Sequence, residues 1–147
     1  MASSPKHSET AQRMLKEAGI RVTMPRIAVL SALLAAHKPV SADHLAQELA
    51  DLQADKVTIY RILRMFSEKG LAHQVDVGDQ IWRFASCGDD HHHARHAHFY
   101  CRNCGGLECL DADKAGVIEE RPAPAGHLVE VQEILLRGLC PGCRKMR

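Results

Sequence analysis

No apolar run in the chain approaches the ~20 residues needed to cross a bilayer as a helix, which excludes an integral helical membrane protein. The first residues, Met1-Ala-Ser-Ser-Pro-Lys-His-Ser8, lack the hydrophobic stretch of a secretory signal, so a cytoplasmic location is expected. Neither sign of charge is in excess. The formal net charge is +1, with 11 Lys/Arg against 9 Asp/Glu over residues 1–84 and 8 against 9 over residues 85–147. So small an imbalance implies no polyanionic partner without the local placement of the charges. There is no H-E-x-x-H and no Ser/His/Asp constellation. Neither an enzyme nor a small-molecule substrate is therefore expected. Internal repeats are also lacking. What remains is 147 residues, 46% hydrophobic and 25% charged, an ordinary globular composition for one domain or two small ones.

Against that background residues 91–109 stand out. They hold five of the ten histidines (His91, His92, His93, His96, His98) and three of the six cysteines (Cys101, Cys104, Cys109). Imidazole and thiolate are the ligands Zn²⁺ prefers. Cys101 and Cys104 form a C-x-x-C closed by Gly105, which lets the backbone turn so that both sulfurs face one point. Cys140-Pro-Gly-Cys143 repeats the pattern 35 residues later. Together the two pairs can supply four thiolates to one structural zinc. Redox thiols or disulfides are the alternative, disfavoured in a reducing compartment. The run His91–His93 reads as a solvated loop rather than a ligand set. His96 and His98, two apart, lie on one face of a strand and suggest a second metal site, with two surface histidines as the plain alternative.

Taken in order, residues 1–8 read as a tail and Glu9–Ala18 as a helix stopped by Gly19. Thr23 is a candidate N-cap for a second helix reaching about Ala36. Ser41 caps a third over 41–50. A fourth runs from about Lys56 to Lys69 with Val57, Ile59, Leu63 and Phe66 as inward anchors and Gly70 as its stop. Beyond Gly70 the period changes to two. Leu71–Val77 and Gln80–Ala85 read as a hairpin turning at Gly78-Asp79. Helices ending in a two-stranded wing describe a winged helix-turn-helix, with 56–69 as recognition helix. Its exposed Lys56, Thr58, Tyr60, Arg61 and Arg64 are donors for phosphates and base edges; an ordinary solvated basic face is the alternative. Arg21 and Arg26, beside the second helix, join them as DNA-contact candidates. A small α/β unit follows, with strands near 96–101 and 106–111, a helix near 112–121 and a last strand over 128–137. Apolar residues on both faces of that strand suggest cover by a partner subunit. The expected architecture is α+β: a winged-helix domain over 1–84, a hinge loop over 85–95 and an α/β dimerisation domain over 96–147.

Several of these segments carry a likeness. Val22-Thr-Met-Pro-Arg26, Val40-Ser-Ala-Asp-His44, Val57-Thr-Ile-Tyr-Arg61, His96-x-His98, Cys101-Arg-Asn-Cys-Gly105 and Cys140-x-x-Cys143 resemble, in order and spacing, the ferric uptake regulator superfamily over roughly residues 9–143. The resemblance implies a homodimeric repressor that binds palindromic, AT-rich operator DNA when its regulatory metal is present. Cys101, Cys104, Cys140 and Cys143 match the structural zinc knuckle. Tyr60 and Arg61 match the recognition helix, and His96 and His98 the regulatory site. The zinc-sensing branch is the most similar, because His73 and Cys87 match its remaining ligand positions. At least one regulatory zinc per subunit is then expected besides the structural one. Glu108, Cys109 and His93 are candidate additional ligands, with Cys109 standing where members usually carry a carboxylate. Arg95, Ala97 and Gln132 replace the ligands of the family's frequent third site, and Pro39 replaces a histidine of the iron branch. An iron-, manganese- or peroxide-responsive regulator of the same superfamily is the alternative.

Overall fold

In the computed structural model, which describes residues 4–36, 38–86, 97–110, 124–128 and 134–146, the chain divides into two compact units, Met1–Asp90 and His91–Arg147. In the first, helix α1 spans Pro5–Glu17. It begins earlier than the expected Glu9, because Pro5 suits the first helical turn, where no N–H is required. Behind it, the Ser4 carbonyl accepts from the His7 and Ser8 N–H groups. The stop at Gly19 is a Schellman motif. Gly19 sits at φ +70°, donating to the Lys16 carbonyl at 3.1 Å while Ile20 donates to that of Leu15 at 2.9 Å.

Helix α2 (Met24–Ala36) leads through a short strand β1 (Val40–Ser41) to helix α3 (Ala42–Glu48). Ser41 caps α3 as expected, its Oγ accepting from the His44 N–H at 3.1 Å. A 3₁₀ turn, Ala50–Leu52, precedes helix α4 (Lys56–Glu68). Ala11 and Leu15 of α1, Leu30 and Leu33 of α2, Leu45 of α3 and Ile59, Leu63 and Phe66 of α4 converge on one core with Phe84. The inward stripe of α4 is Ile59, Ile62, Leu63 and Phe66. Val57, expected among the anchors, is 55% exposed.

Strands β2 (Ala72–Val75) and β3 (Arg83–Ser86) form the wing, and β1 adds to its edge, giving an antiparallel sheet of order β1-β3-β2. The turn is longer than the two-residue one read from Gly78-Asp79. Asp76 Oδ1 accepts from the Gly78 N–H at 2.8 Å, and Asp79 holds both the Ile81 N–H, at 3.1 Å, and the Arg83 guanidinium, at 2.8 and 3.0 Å. These side-chain bonds replace ladder bonds, so the strands stop short. The pairings Val40↔Phe84 and Ser41↔Arg83, invisible to periodicity over so few residues, add β1 to the sheet.

In the second unit β4 (Ala97–Cys101) is central, antiparallel to β5 (Leu107–Leu110) and parallel to β6 (Ile134–Gly138). A short helix α5 (Pro141–Arg144) follows. The expected helix near 112–121 lies outside the described residues. The last strand was expected from Leu128, but that residue is outside any strand and 85% exposed. No described helix is long and apolar enough to cross a membrane.

Two outcomes follow. Phe66→Ala should cost about 3–5 kcal/mol, as for a large core aromatic, read from urea unfolding. The Asp55 carboxylate caps α4, accepting from the Thr58 N–H at 2.8 Å. Hydrogen bonds from the Thr58 side chain and then its backbone hold that carboxyl below its ordinary 3.8. A depressed acid contributes stability above its unfolded pKa and loses it as pH falls through the folded value. Asp55→Ala should therefore lower the melting temperature at pH 7, with the gap to wild type closing in acid; a gap independent of pH contradicts this.

Candidate metal centre and nucleic-acid interface

Strand β4 ends at Cys101 and turns tightly through Cys104. The Gly105 N–H returns to the Cys101 carbonyl at 2.9 Å and the Cys101 N–H reaches the Gly106 carbonyl at 2.8 Å. Gly105 adopts φ +72°, the left-handed conformation glycine takes without strain. At Gly106 a Cβ would lie 3.3 Å from the Cys104 sulfur. The parallel register of β4 with β6 continues past the strand through the Arg102 N–H and the Gly138 carbonyl, at 2.9 Å, and carries the chain to Cys140. Cys140 is the N-cap of α5, and Cys143 sits within that helix.

This folding brings the four sulfurs Cys101, Cys104, Cys140 and Cys143 within 4.8 Å of one another, with Cys104 and Cys140 at 3.9 Å. Four Zn–S bonds of about 2.3 Å in a tetrahedron require sulfurs roughly 3.8 Å apart, so the set fits zinc. The sulfurs already accept N–H donors. Cys140 N–H bonds Cys101 Sγ at 3.3 Å, Cys143 N–H bonds Cys140 Sγ at 3.5 Å and Asn103 Nδ2 bonds Cys143 Sγ at 3.3 Å. N–H bonds from Cys104 and then Cys140 lower the Cys101 thiol to about 6. At Cys143 the Asn103 amide lowers the pKa, but the neighbouring Cys140 thiol, burial and the other two thiols outweigh it, raising the group to about 11. Donated hydrogen bonds thus favour the thiolate at Cys101, whereas neighbouring sulfurs and burial disfavour it at Cys143, a conflict that a bound cation would relieve. Asn103 was missed by sequence reasoning; its place between the two cysteines of the first knuckle was the available signal.

Of the regulatory candidates, His73 is half-buried on β2, paired with Ala85, in the first unit. His98 is 7% exposed on β4 in the second. Cys87, His93 and His96 lie outside the described residues. The register sets Cys109, not Glu108, opposite His98; Glu108 is exposed and pairs with Phe99 on the other face. Among the described residues, the four-cysteine set is the group of three or more metal-ligating side chains brought together.

The outer face of α4 presents Lys56, Val57, Thr58, Arg61 and Arg64 to solvent. Tyr60 is half-buried, edge-on to Phe84 with ring centroids 6.0 Å apart. Two features differ from expectation. Asp55 occupies the first-turn N–H that a phosphate would otherwise take. Lys56 is engaged, its Nζ 2.9 Å from both Asp43 carboxylate oxygens, tying α4 to α3. Arg26 donates to the Arg21 carbonyl at 2.8 Å, bracing the entry to α2. Arg61 and Arg64 are the exposed cations of α4 beyond its first turn.

Residues 17–134 match the sequence pattern of the ferric uptake regulator family. The chain is 30% identical to the transcriptional regulator FurA of Mycobacterium bovis over 150 residues, 97% of this chain and 93% of the relative. It is also 30% identical to the peroxide operon regulator of Bacillus subtilis over 138 residues, 92% of each. Among solved structures, a zinc uptake regulator complexed with zinc and DNA superposes with a TM-score of 0.70 at 24% identity, covering 99% of this chain and 98% of that one.

Cys104→Ser and Cys140→Ser should each lower the zinc retained per chain after dialysis against a mild chelator and lower the melting temperature. A variant that keeps wild-type zinc content contradicts the assignment.

Proposed function

The chain belongs to the ferric uptake regulator family of metal-responsive transcriptional regulators, which are not enzymes, and from that premise we propose that it is a zinc-sensing repressor binding palindromic operator DNA as a homodimer in the cytoplasm. The observation that carries the DNA reading is α4, whose cap, buried stripe and exposed Arg61 and Arg64 make it a helix anchored on one side and cationic on the other. Arg61 and Arg64, with Thr58 and Tyr60, reach phosphates and base edges. Arg21 contributes a further exposed cation, and Lys56 contributes by exchanging Asp43 for a phosphate. The first unit serves as DNA-binding domain and the second as dimerisation domain. Edge strand β6, with Leu136 41% exposed, suits burial against a second copy.

Zinc plays two parts in this proposal. Cys101, Cys104, Cys140 and Cys143 hold a structural ion that pins the second unit. His73, Cys87, His96 and His98 form the sensing set, with Cys109, Glu108 and His93 as candidate supplements. Ligands drawn from separate parts of the chain bind zinc together only in arrangements that gather them, so zinc selects those arrangements from the ensemble. In a dimer, the selected state spaces two recognition helices for half-sites roughly 34 Å apart. The imidazole-and-thiolate composition favours zinc over iron or manganese, which take more carboxylate. The identity to the Bacillus subtilis peroxide operon regulator supports the competing peroxide-responsive reading.

His73→Ala and Cys87→Ser should leave a folded dimer with about one zinc per chain whose affinity for a selected duplex no longer rises with added zinc. Fluorescence anisotropy at controlled free zinc reads this, and an unchanged response removes the residue from the sensing set. Activation by Mn²⁺ or anaerobic Fe²⁺ but not Zn²⁺ would favour the competing reading.

A further inference from the structure

The cationic face of α4 has an apolar centre. At 3.6 residues per turn, Val57, Arg61 and Arg64 fall on one stripe, with Tyr60 beside it. Val57 is 55% exposed at the start of that stripe, while Ile59, Ile62, Leu63 and Phe66 bury the opposite side. A solvent-facing valine in a first turn adds nothing to the core, and its helix propensity is below that of the lysine or glutamate that ordinarily fills such a position. Lys56 sits against Asp43 and the Thr58 N–H on Asp55, and the Val57 isopropyl group is the exposed apolar surface of that first turn, between the cap and Arg61.

We propose that Val57 is a specificity-determining residue that contacts the 5-methyl group of one thymine per half-site in the major groove. The assignment rests on the DNA-binding reading of α4 given above. Residues at the N-terminal end of a recognition helix meet base edges. On those edges the thymine methyl is the apolar group; the other features are hydrogen-bond donors and acceptors. An isopropyl group pressed on a guanine, adenine or cytosine edge would strip water from a polar atom and return no hydrogen bond. Against a thymine methyl it loses nothing. Arg61, one turn further, supplies the charged contact that holds the helix in register.

The test uses the full-length, zinc-loaded protein and a duplex recovered by in vitro selection with wild type. Each thymine of a half-site is replaced in turn by deoxyuridine, which removes only the methyl group. Wild type should lose about fourfold in affinity at one position, the worth of burying one methyl-sized group. Val57→Ala, at an exposed site that leaves the core intact, should bind the thymine and deoxyuridine forms of that position equally. Arg61→Ala should weaken binding to every duplex while keeping the deoxyuridine effect. Identical deoxyuridine profiles for wild type and Val57→Ala overturn the assignment to Val57 alone. Failure of selection to enrich any sequence, with Arg61→Ala binding DNA like wild type, overturns the DNA-binding reading itself.

Discussion

In the second unit four sulfurs meet at one place, all within 4.8 Å of one another. Its sheet is small, and its buried apolar residues among those described are Ala97, Cys101, Leu107 and Cys143, two of which are themselves in the cluster. The first unit instead buries a continuous core contributed by α1, α2, α3, α4 and the wing. Where apolar burial among the described residues is as small as in the second unit, a cross-link helps to offset the entropy of ordering the chain. In the proposed reading, a metal ion on the cysteine set supplies one between residues 101 and 143, and the energy of its binding becomes energy of folding. The glycines at 105 and 106 and the amide of Asn103 serve that one requirement. They give the turn its sign, leave room beside a sulfur and place a donor on a sulfur.

The first unit works by a different economy. Because its core is self-sufficient, the outward face of α4 is free to carry residues that contribute nothing to stability. The Schellman motif that ends it, with Gly70 at φ +76° and the Leu71 N–H on the Phe66 carbonyl at 2.9 Å, and the Asp55 cap that begins it fix its length at both ends. A helix held at its ends and along its inner stripe presents its outer side chains at fixed spacing, which direct readout requires. The Asp43–Lys56 pair adds a tie to α3 at an exposed position, where such a pair contributes little to stability but orients the first turn.

How much was legible in the sequence follows from the kind of signal each feature leaves. The helices were readable because buried leucines and isoleucines recur at helical spacing and glycines mark their ends. The four cysteines were readable because their spacing has one dominant use. The short strand β1 was not, since two residues carry no period; only their pairing with Phe84 and Arg83 makes them a strand. The wing turn is longer than an alternation pattern implies because Asp76 and Asp79 bond nearby backbone, a local competition that leaves no mark on the pattern. Val57 is hydrophobic without being buried, because the phase of the helix, set by Ile59, Ile62, Leu63 and Phe66, turns it outward.

Strand β4 carries Cys101 of the four-sulfur set and, in the proposed reading, the sensing residue His98. His98 and Cys101 are three residues apart, so they project from opposite faces of one strand. The knuckle that closes on Cys101 also fixes the register of β4 against β6, through the Arg102 N–H and the Gly138 carbonyl, and hence the position of His98. In the proposed reading, loss of one of the four cysteines therefore disturbs a sensing residue without removing it. Loss of metal-dependent DNA binding in a cysteine variant says nothing about sensing by itself. A residue such as His73, on a strand of the self-sufficient first unit, separates the two roles, because its removal leaves both the core and the four-sulfur cluster in place.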